Sequence, residues 1–97
     1  MIPLVINPLA EADLIEGKVW CDRYRRGTGI DFLLFVEDVF EQLRRNPYAF
    51  GCEFADIRVA PVKSFPFAVA YRVDEVRISI LAVYHLSSDP KKWQHRE

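Results

Sequence analysis

Three groups of residues in this 97-residue chain have the chemistry to act on a partner or a substrate. The first is cationic: Arg58, Lys63, Arg72 and Arg77, close together in the second half. Such a set fits phosphates or an acidic peptide, although charged side chains on a sheet are ordinarily solvated. Strand alternation puts Arg72 on the face opposite Tyr71, so the four need not converge. The second is His85, whose imidazole can serve as acid or base near neutral pH, or can order a turn by hydrogen bonding. The third is the tail, where Lys91, Lys92 and Arg96 surround Trp93 after Asp89-Pro90. Asp before Pro reads as a cap on a short helical turn. Trp93 then either folds back on the core or offers a stacking surface.

Several chemistries are excluded. Gly27-Thr28-Gly29 falls between two helical patterns rather than after a strand, so it is not a phosphate-binding loop. No serine nucleophile elbow occurs. Cys21 and Cys52 form no Cys-x-x-Cys or Cys/His cluster, so no zinc site is expected and the pair reads as two cytosolic thiols. No cofactor is implied. The net charge is −1, which is not the balance of a general nucleic-acid binder. Residues 1–55 carry six Lys and Arg against nine Asp and Glu, whereas residues 56–97 carry seven against five. An anionic partner would therefore meet the C-terminal half. No apolar run reaches the roughly 20 residues of a membrane span. The first residues lack a basic region and a long apolar run, so a secretory signal is not expected and the reading is cytoplasmic.

Hydrophobic periodicity gives the elements that position these groups. Residues 1–97 read as one domain with a hydrophobic share of 51%. Met1 to Ile6 reads as a short strand, with Asn7-Pro8 starting a helix to about Arg26. Ala10, Leu14, Gly17, Cys21 and Tyr24 form its stripe, with Gly17 marking close approach of a second helix. That second helix runs from about Ile30 to Arg45, burying Phe32, Val36, Val39 and Leu43 and ending at Asn46-Pro47. Thr28 is a candidate cap for it. Residues 48–55 read as a loop anchored by Tyr48 and Phe50. Three strands follow: Asp56 to Val62, a half-buried strand over residues 67–73, and a strand over residues 76–84 whose two apolar faces make it central. Asp74-Glu75 turns between the last two. The expected fold is α+β in the order β-α-α-β-β-β. A short N-terminal strand precedes an antiparallel helical hairpin packed on a mainly antiparallel sheet, and a short polar C-terminal tail closes the chain.

Taken in order, the motifs resemble those of the RelE/ParE toxin superfamily, nearer its ParE-type plasmid-stabilisation branch. The residues that carry the resemblance are Ala12-Asp13-Leu14 and Trp20, then Gly27-Thr28-Gly29 with Phe32, then Asn46-Pro47. Asp56-Ile57-Arg58, Phe65-Pro66-Phe67, Tyr71-Arg72-Val73 and Ile80-Leu81-Ala82-Val83 with His85 continue the pattern. Asp89-Pro90 with Trp93 and Arg96 ends it. No single motif is specific; their order and spacing are.

The resemblance implies the toxin of a type II toxin–antitoxin pair, neutralised by a cognate antitoxin laid across it. ParE-type members act on DNA gyrase by binding; RelE-type members cut mRNA on the ribosome. A ribonuclease would draw on Arg58, His85 and Trp93. Target or antitoxin contacts would draw on Arg58, Lys63, Arg72, Arg77, Lys91, Lys92, Trp93 and Arg96. Two departures bear on the choice. Related toxins often carry arginine directly before the Asp-Pro, where this chain has Ser87 and Ser88. The strand Phe67-Ala68-Val69-Ala70 also lacks the basic residue of the ribonuclease pattern. RNA cleavage needs a base for the 2′-hydroxyl and cations for the developing phosphate charge, and losing one such donor costs about 10²–10³ in rate. Binding is thus expected over ribonuclease activity, with an inactive relative as a further alternative. The antitoxin is expected to cover part of the sheet and the hairpin, leaving an apolar groove on the free protein. An uncovered apolar helix face would also favour a homodimer.

Overall fold

Asn7 and Pro8 end the first strand and begin the first helix in the computed structural model, which describes residues 2–96. Met1, the expected start of the first strand, and Glu97, the last residue of the tail, lie outside the described residues. The elements are β1 (Leu4–Ile6), α1 (Pro8–Tyr24), α2 (Thr28–Arg45), β2 (Cys52–Phe54), β3 (Ile57–Pro61), β4 (Phe67–Val73), β5 (Ile78–His85) and a final 3₁₀ turn (Pro90–Lys92). The five strands form one sheet in the order β1-β5-β4-β3-β2. β1 runs parallel to β5 and every other pairing is antiparallel. This is the α+β, mainly antiparallel architecture that the sequence predicts, with one strand added. β2 falls in the segment expected to be a loop. Its three residues are all exposed at the sheet's edge, so no hydrophobic alternation marks it.

The Asn7 side chain makes no cap hydrogen bond. Instead its backbone N–H donates to Ile80 O at 3.0 Å and its carbonyl accepts from Glu11 N–H at 3.0 Å. Pro8 at the first helical position forfeits no intrahelical bond. The junction between the helices is an interlock. Gly27 takes φ 88°, a left-handed conformation that favours glycine. The Thr28 hydroxyl turns back to α1, within 2.8 Å of Cys21 O and 2.7 Å of Arg25 O. Thr28 therefore satisfies the end of α1 rather than capping α2. Asp22 of α1 supplies the return contact, accepting the Gly29 N–H of α2 at 2.8 Å. A Cβ on Gly29 would sit 2.6 Å from that carboxylate. The resulting helix boundaries fall two residues earlier than expected for both the end of α1 and the start of α2.

Each sheet face has its own core. On the front, Phe32, Val36, Phe40 and Leu43 of α2 and Ala10 and Cys21 of α1 pack on Val69, Tyr71, Ile78 and Ile80. Gly17 is buried here, and a Cβ on it would come within 2.6 Å of the Phe32 ring, which is the close approach its place on the stripe predicts. Tyr24, expected on the same stripe, is instead 82% exposed at the last position of α1. On the back, Ile57, Ala70, Leu81, Ala82 and Trp93 form a smaller cluster. β4 is thus covered on both faces from Phe67 to Tyr71, not half-buried as its alternation suggested. Small residues, Ala68 and Ala70, face the thin back layer. β5 lies between β1 and β4, central as expected. Ala70 pairs with Ala82 and Tyr71 with Ile80, so Leu81 is an inserted bulge residue. The bulge lets Leu81 and Ala82 both join the back core.

Candidate functional site

The cations of the sheet do not form one patch. Arg58 is half-buried. It donates to Phe50 O at 2.6 Å and lies 5.0 Å over the Tyr48 ring, holding the loop that leads into β2. Tyr71, which pairs with Arg58 across the strands, fixes the same loop by donating to Pro47 O at 2.8 Å. Desolvation by burial pushes the Tyr71 phenol above its ordinary range. Arg72 points to the other face and pairs with Asp56 at 2.9 Å. Arg77 is exposed at the β4–β5 turn and Lys63 is exposed between β3 and β4. Lys63 lines a shallow cleft along α2 with Phe35, Asp38 and Arg45, where the charges are mixed.

His85 stands at the opposite end of β4 from Arg58, since Phe67 pairs with His85 and Tyr71 with Arg58. Four residues of strand separate the two positions, roughly 13 Å. The imidazole orders the following turn. Nδ1 accepts from Ser87 N–H at 3.1 Å and lies 2.7 Å from Ser87 Oγ, while the Ser88 hydroxyl donates to His85 O at 2.7 Å. Ser87 and Ser88 are thus parts of the His85 turn. The ring also packs against Trp20 and Phe67, with centroids 4.7 and 5.1 Å away.

Trp93 folds back. It is 4% exposed and stacks on Tyr84, with ring centroids 4.8 Å apart. Its indole Nε1 is buried without a hydrogen-bond partner. The cap expected before it is present: Asp89 Oδ1 accepts Lys91 N–H at 2.9 Å. Arg96 is drawn inward, with Nη1 2.6 Å from Asp13 Oδ2 and 3.1 Å from Leu81 O. The same Asp13 oxygen accepts Val83 N–H at 3.0 Å. β1 pairs only with Ile78 to Ile80, so beyond that point two polar groups of β5 are satisfied by Asp13 of α1 and Arg96 of the tail. Lys91 and Lys92 remain exposed.

The structure therefore brings His85, Trp93, Lys92 and Arg96 around one cleft and leaves Arg58, Lys63, Arg72 and Arg77 elsewhere. The cleft, about 550 Å³, opens between α1, the end of β5 and the tail. Trp20, Arg23 and Asp13 also line it, and none of the three is a site residue by the sequence pattern alone. The available signal was Trp20 and Tyr24, four residues apart on α1, stacked at 5.4 Å and both exposed. Further exposed apolar residues, Ile15 and Val19 of α1 and Ile30 and Leu34 of α2, lie on the hairpin. They are exposed apolar side chains on the element where an uncovered apolar groove is expected. Both cysteines are free thiols, Cys21 buried and Cys52 exposed. Burial, then the neighbouring Asp22 charge, push the Cys21 thiol up. Among the described residues, no helix is long and apolar enough to cross a membrane, and no cluster of three or more His, Cys, Asp or Glu could hold a metal.

No family model matches the chain, and no curated protein matches its sequence. Among solved structures it is similar to a chain described as "Chromosomal ParDE TA system from P. aeruginosa". The two share 22% identity, the match covers 88% of this chain and 96% of that one, and the TM-score is 0.66. That likeness is one of fold, and it spans nearly all of both chains.

Proposed function

We propose that this protein is the toxin of a type II toxin–antitoxin pair, ParE-like in acting by binding, with DNA gyrase as its target and a cognate antitoxin that neutralises it in the cytoplasm. The observation that carries this reading is the near full-length likeness in fold to a chain of a ParDE system. The disposition of the candidate catalytic groups supports binding over RNA cleavage. Arg58 stands apart from His85 and Trp93, and each of the three is engaged in holding the fold. A ribonuclease needs its base and its cations within hydrogen-bond reach of one phosphate. The exposed apolar residues of the hairpin are a surface that an amphipathic antitoxin segment can cover.

The test is induction of the chain in a bacterial host, alone and with its antitoxin. Purified protein is assayed in parallel for inhibition of gyrase supercoiling. The expected result is a fall of several decades in viable counts, rescued by the antitoxin, with supercoiling inhibited in vitro. Toxicity with unaffected gyrase and new cut sites in translated mRNA would replace binding with the ribonuclease reading. Unchanged counts with soluble, folded protein would support an inactive relative.

A further inference from the structure

The cleft beside the tail has features that gyrase or antitoxin binding does not require. Its walls are aromatic, from Trp20, Phe67, Tyr84, His85 and Trp93, and two long cations, Arg23 and Lys92, stand on its lining. Both cations are exposed, and among the described residues neither is in an ion pair. Asp13, the deeper acid, is already held by Arg96 and Val83 N–H. That leaves Glu16 as the one acid on the lining without a partner among the described residues. Two unpaired cations against one carboxylate, beside the partly exposed rings of Trp20 and His85, is an arrangement for a flat ring that carries a single anionic group.

We propose that this cleft binds a nucleoside monophosphate, with the base against Trp20 and His85 and the phosphate between Arg23 and Lys92. The volume suits it: ligand pockets of roughly 300–1,000 Å³ enclose molecules of this size, and the cleft is about 550 Å³. A nucleic-acid strand fits less well. Strand binders line a continuous positive groove along the backbone. Here Glu11, Asp13 and Glu16 share α1 with Arg23, and the whole chain has a net charge of −1. The inference stands independently of the toxin reading, because it rests on the cleft and not on the fold likeness.

The experiment titrates the full chain with AMP, GMP, CMP and UMP, following tryptophan fluorescence and the two indole N–H signals by NMR. Inorganic phosphate, adenosine and a short oligonucleotide serve as separate probes. The expected result is saturable binding of at least one monophosphate, stronger than adenosine or phosphate alone. Trp20→Ala should weaken it roughly ten- to a hundred-fold, the range for losing a stacking platform. Trp20 also packs on Phe67, so Arg23→Glu and Lys92→Glu are made as well; both side chains are exposed, and circular dichroism checks that the variants are folded. Each should weaken the monophosphate at least several-fold and leave adenosine unchanged. No saturable binding by about 10 mM, weaker than the affinities of specific ligands, overturns the proposal. So does binding that none of the three variants alters. An oligonucleotide bound far more tightly than any monophosphate, with a salt dependence of several phosphates, overturns it in favour of a strand site.

Discussion

The two faces of the sheet are covered by very different lengths of chain. The front carries two helices, Pro8–Tyr24 and Thr28–Arg45, whose buried side chains interlock with β4 and β5. The back carries a short tail whose one large buried side chain is Trp93. The helices are held by the whole front core and by the Asp22–Gly29 and Thr28 hydrogen bonds at their junction. The tail is held by Tyr84 stacking, the Asp89 cap and the Arg96–Asp13 pair. Elements with few buried partners open locally, whereas densely packed ones open only when the whole protein unfolds. The front should therefore set global stability, and the back should set what the cleft presents.

The sharpest test of that contrast is Phe32→Ala. Phe32 is fully buried, meets Phe65 and Phe67, and fills the space that Gly17 leaves open. Its loss should cost about 3–5 kcal/mol of unfolding free energy by urea titration. That is a large share of the total for a domain of this size. Trp93→Ala should cost less, about 2 kcal/mol, because a tail that has lost its anchor can lift off without unfolding the sheet. Its signature is faster amide exchange confined to the tail and the adjoining end of β5. A Trp93→Ala variant that loses as much global stability as Phe32→Ala would show that the back is no strap but half of the core. Trp93→Phe should be nearly neutral, since it removes an indole N–H that is buried without a partner.

The same contrast explains what the sequence made legible. α2 is legible almost residue by residue, because Phe32, Val36, Val39 and Leu43 repeat at the helical period and all point into one core. The central place of β5 is legible from apolar residues on both of its faces. β2 was not recognised, because Cys52, Glu53 and Phe54 are all exposed and short edge strands leave no alternation to read. The burial of β4 on both sides is not legible because Ala70 looks neutral until Trp93, more than twenty residues away, is seen to pack with it. Site residues fared unevenly for the same reason. Arg58 and Arg96 read as free cations in one dimension. In three, they hold backbone carbonyls, of Phe50 and of Leu81, that are distant in sequence. Asp13 carried no isolated signal, since its partners lie 70 and 83 residues away.

That long-range pair offers a finer test. The side chains of Asp13 and Arg96 are 14% and 17% exposed, so the pair is better shielded than a surface ion pair. Removing Arg96 takes away one partner of Asp13, but Val83 N–H still holds the carboxylate. Removing Asp13 strands the backbone N–H of Val83 and leaves the guanidinium with Leu81 O as its one remaining acceptor among the described residues. Arg96→Ala is therefore expected to cost about 1 kcal/mol and Asp13→Ala about 2–3 kcal/mol. In a double-mutant cycle Arg96→Ala should add little once Asp13 is gone, because the two act as one unit. Full additivity would mean that the Asp13–Arg96 pair does not help to anchor the tail.

A finer effect lies at the hairpin junction and is read by pH. The Gly29 N–H, then the Lys18 side-chain hydrogen bond, hold the Asp22 carboxyl below the usual carboxylate range. A carboxyl whose folded value is depressed contributes stability that is fully present above its unfolded value, near 3.9. That contribution is lost as the pH falls through the lower, folded value. Acid should therefore loosen the junction of α1 and α2. Asp74 contributes in the same direction, because the Arg77 and Val76 N–H groups hold its carboxyl down at the β4–β5 turn. Asp22→Asn should shrink the acid-induced drop in stability, and adding Asp74→Asn should shrink it further. The direct readout is the Gly29 amide proton, whose NMR shift should titrate with a midpoint below the ordinary aspartate value. A midpoint at that ordinary value would show that Gly29 does not bond the carboxylate in solution. The junction would then depend on Gly27 and the Thr28 hydroxyl alone.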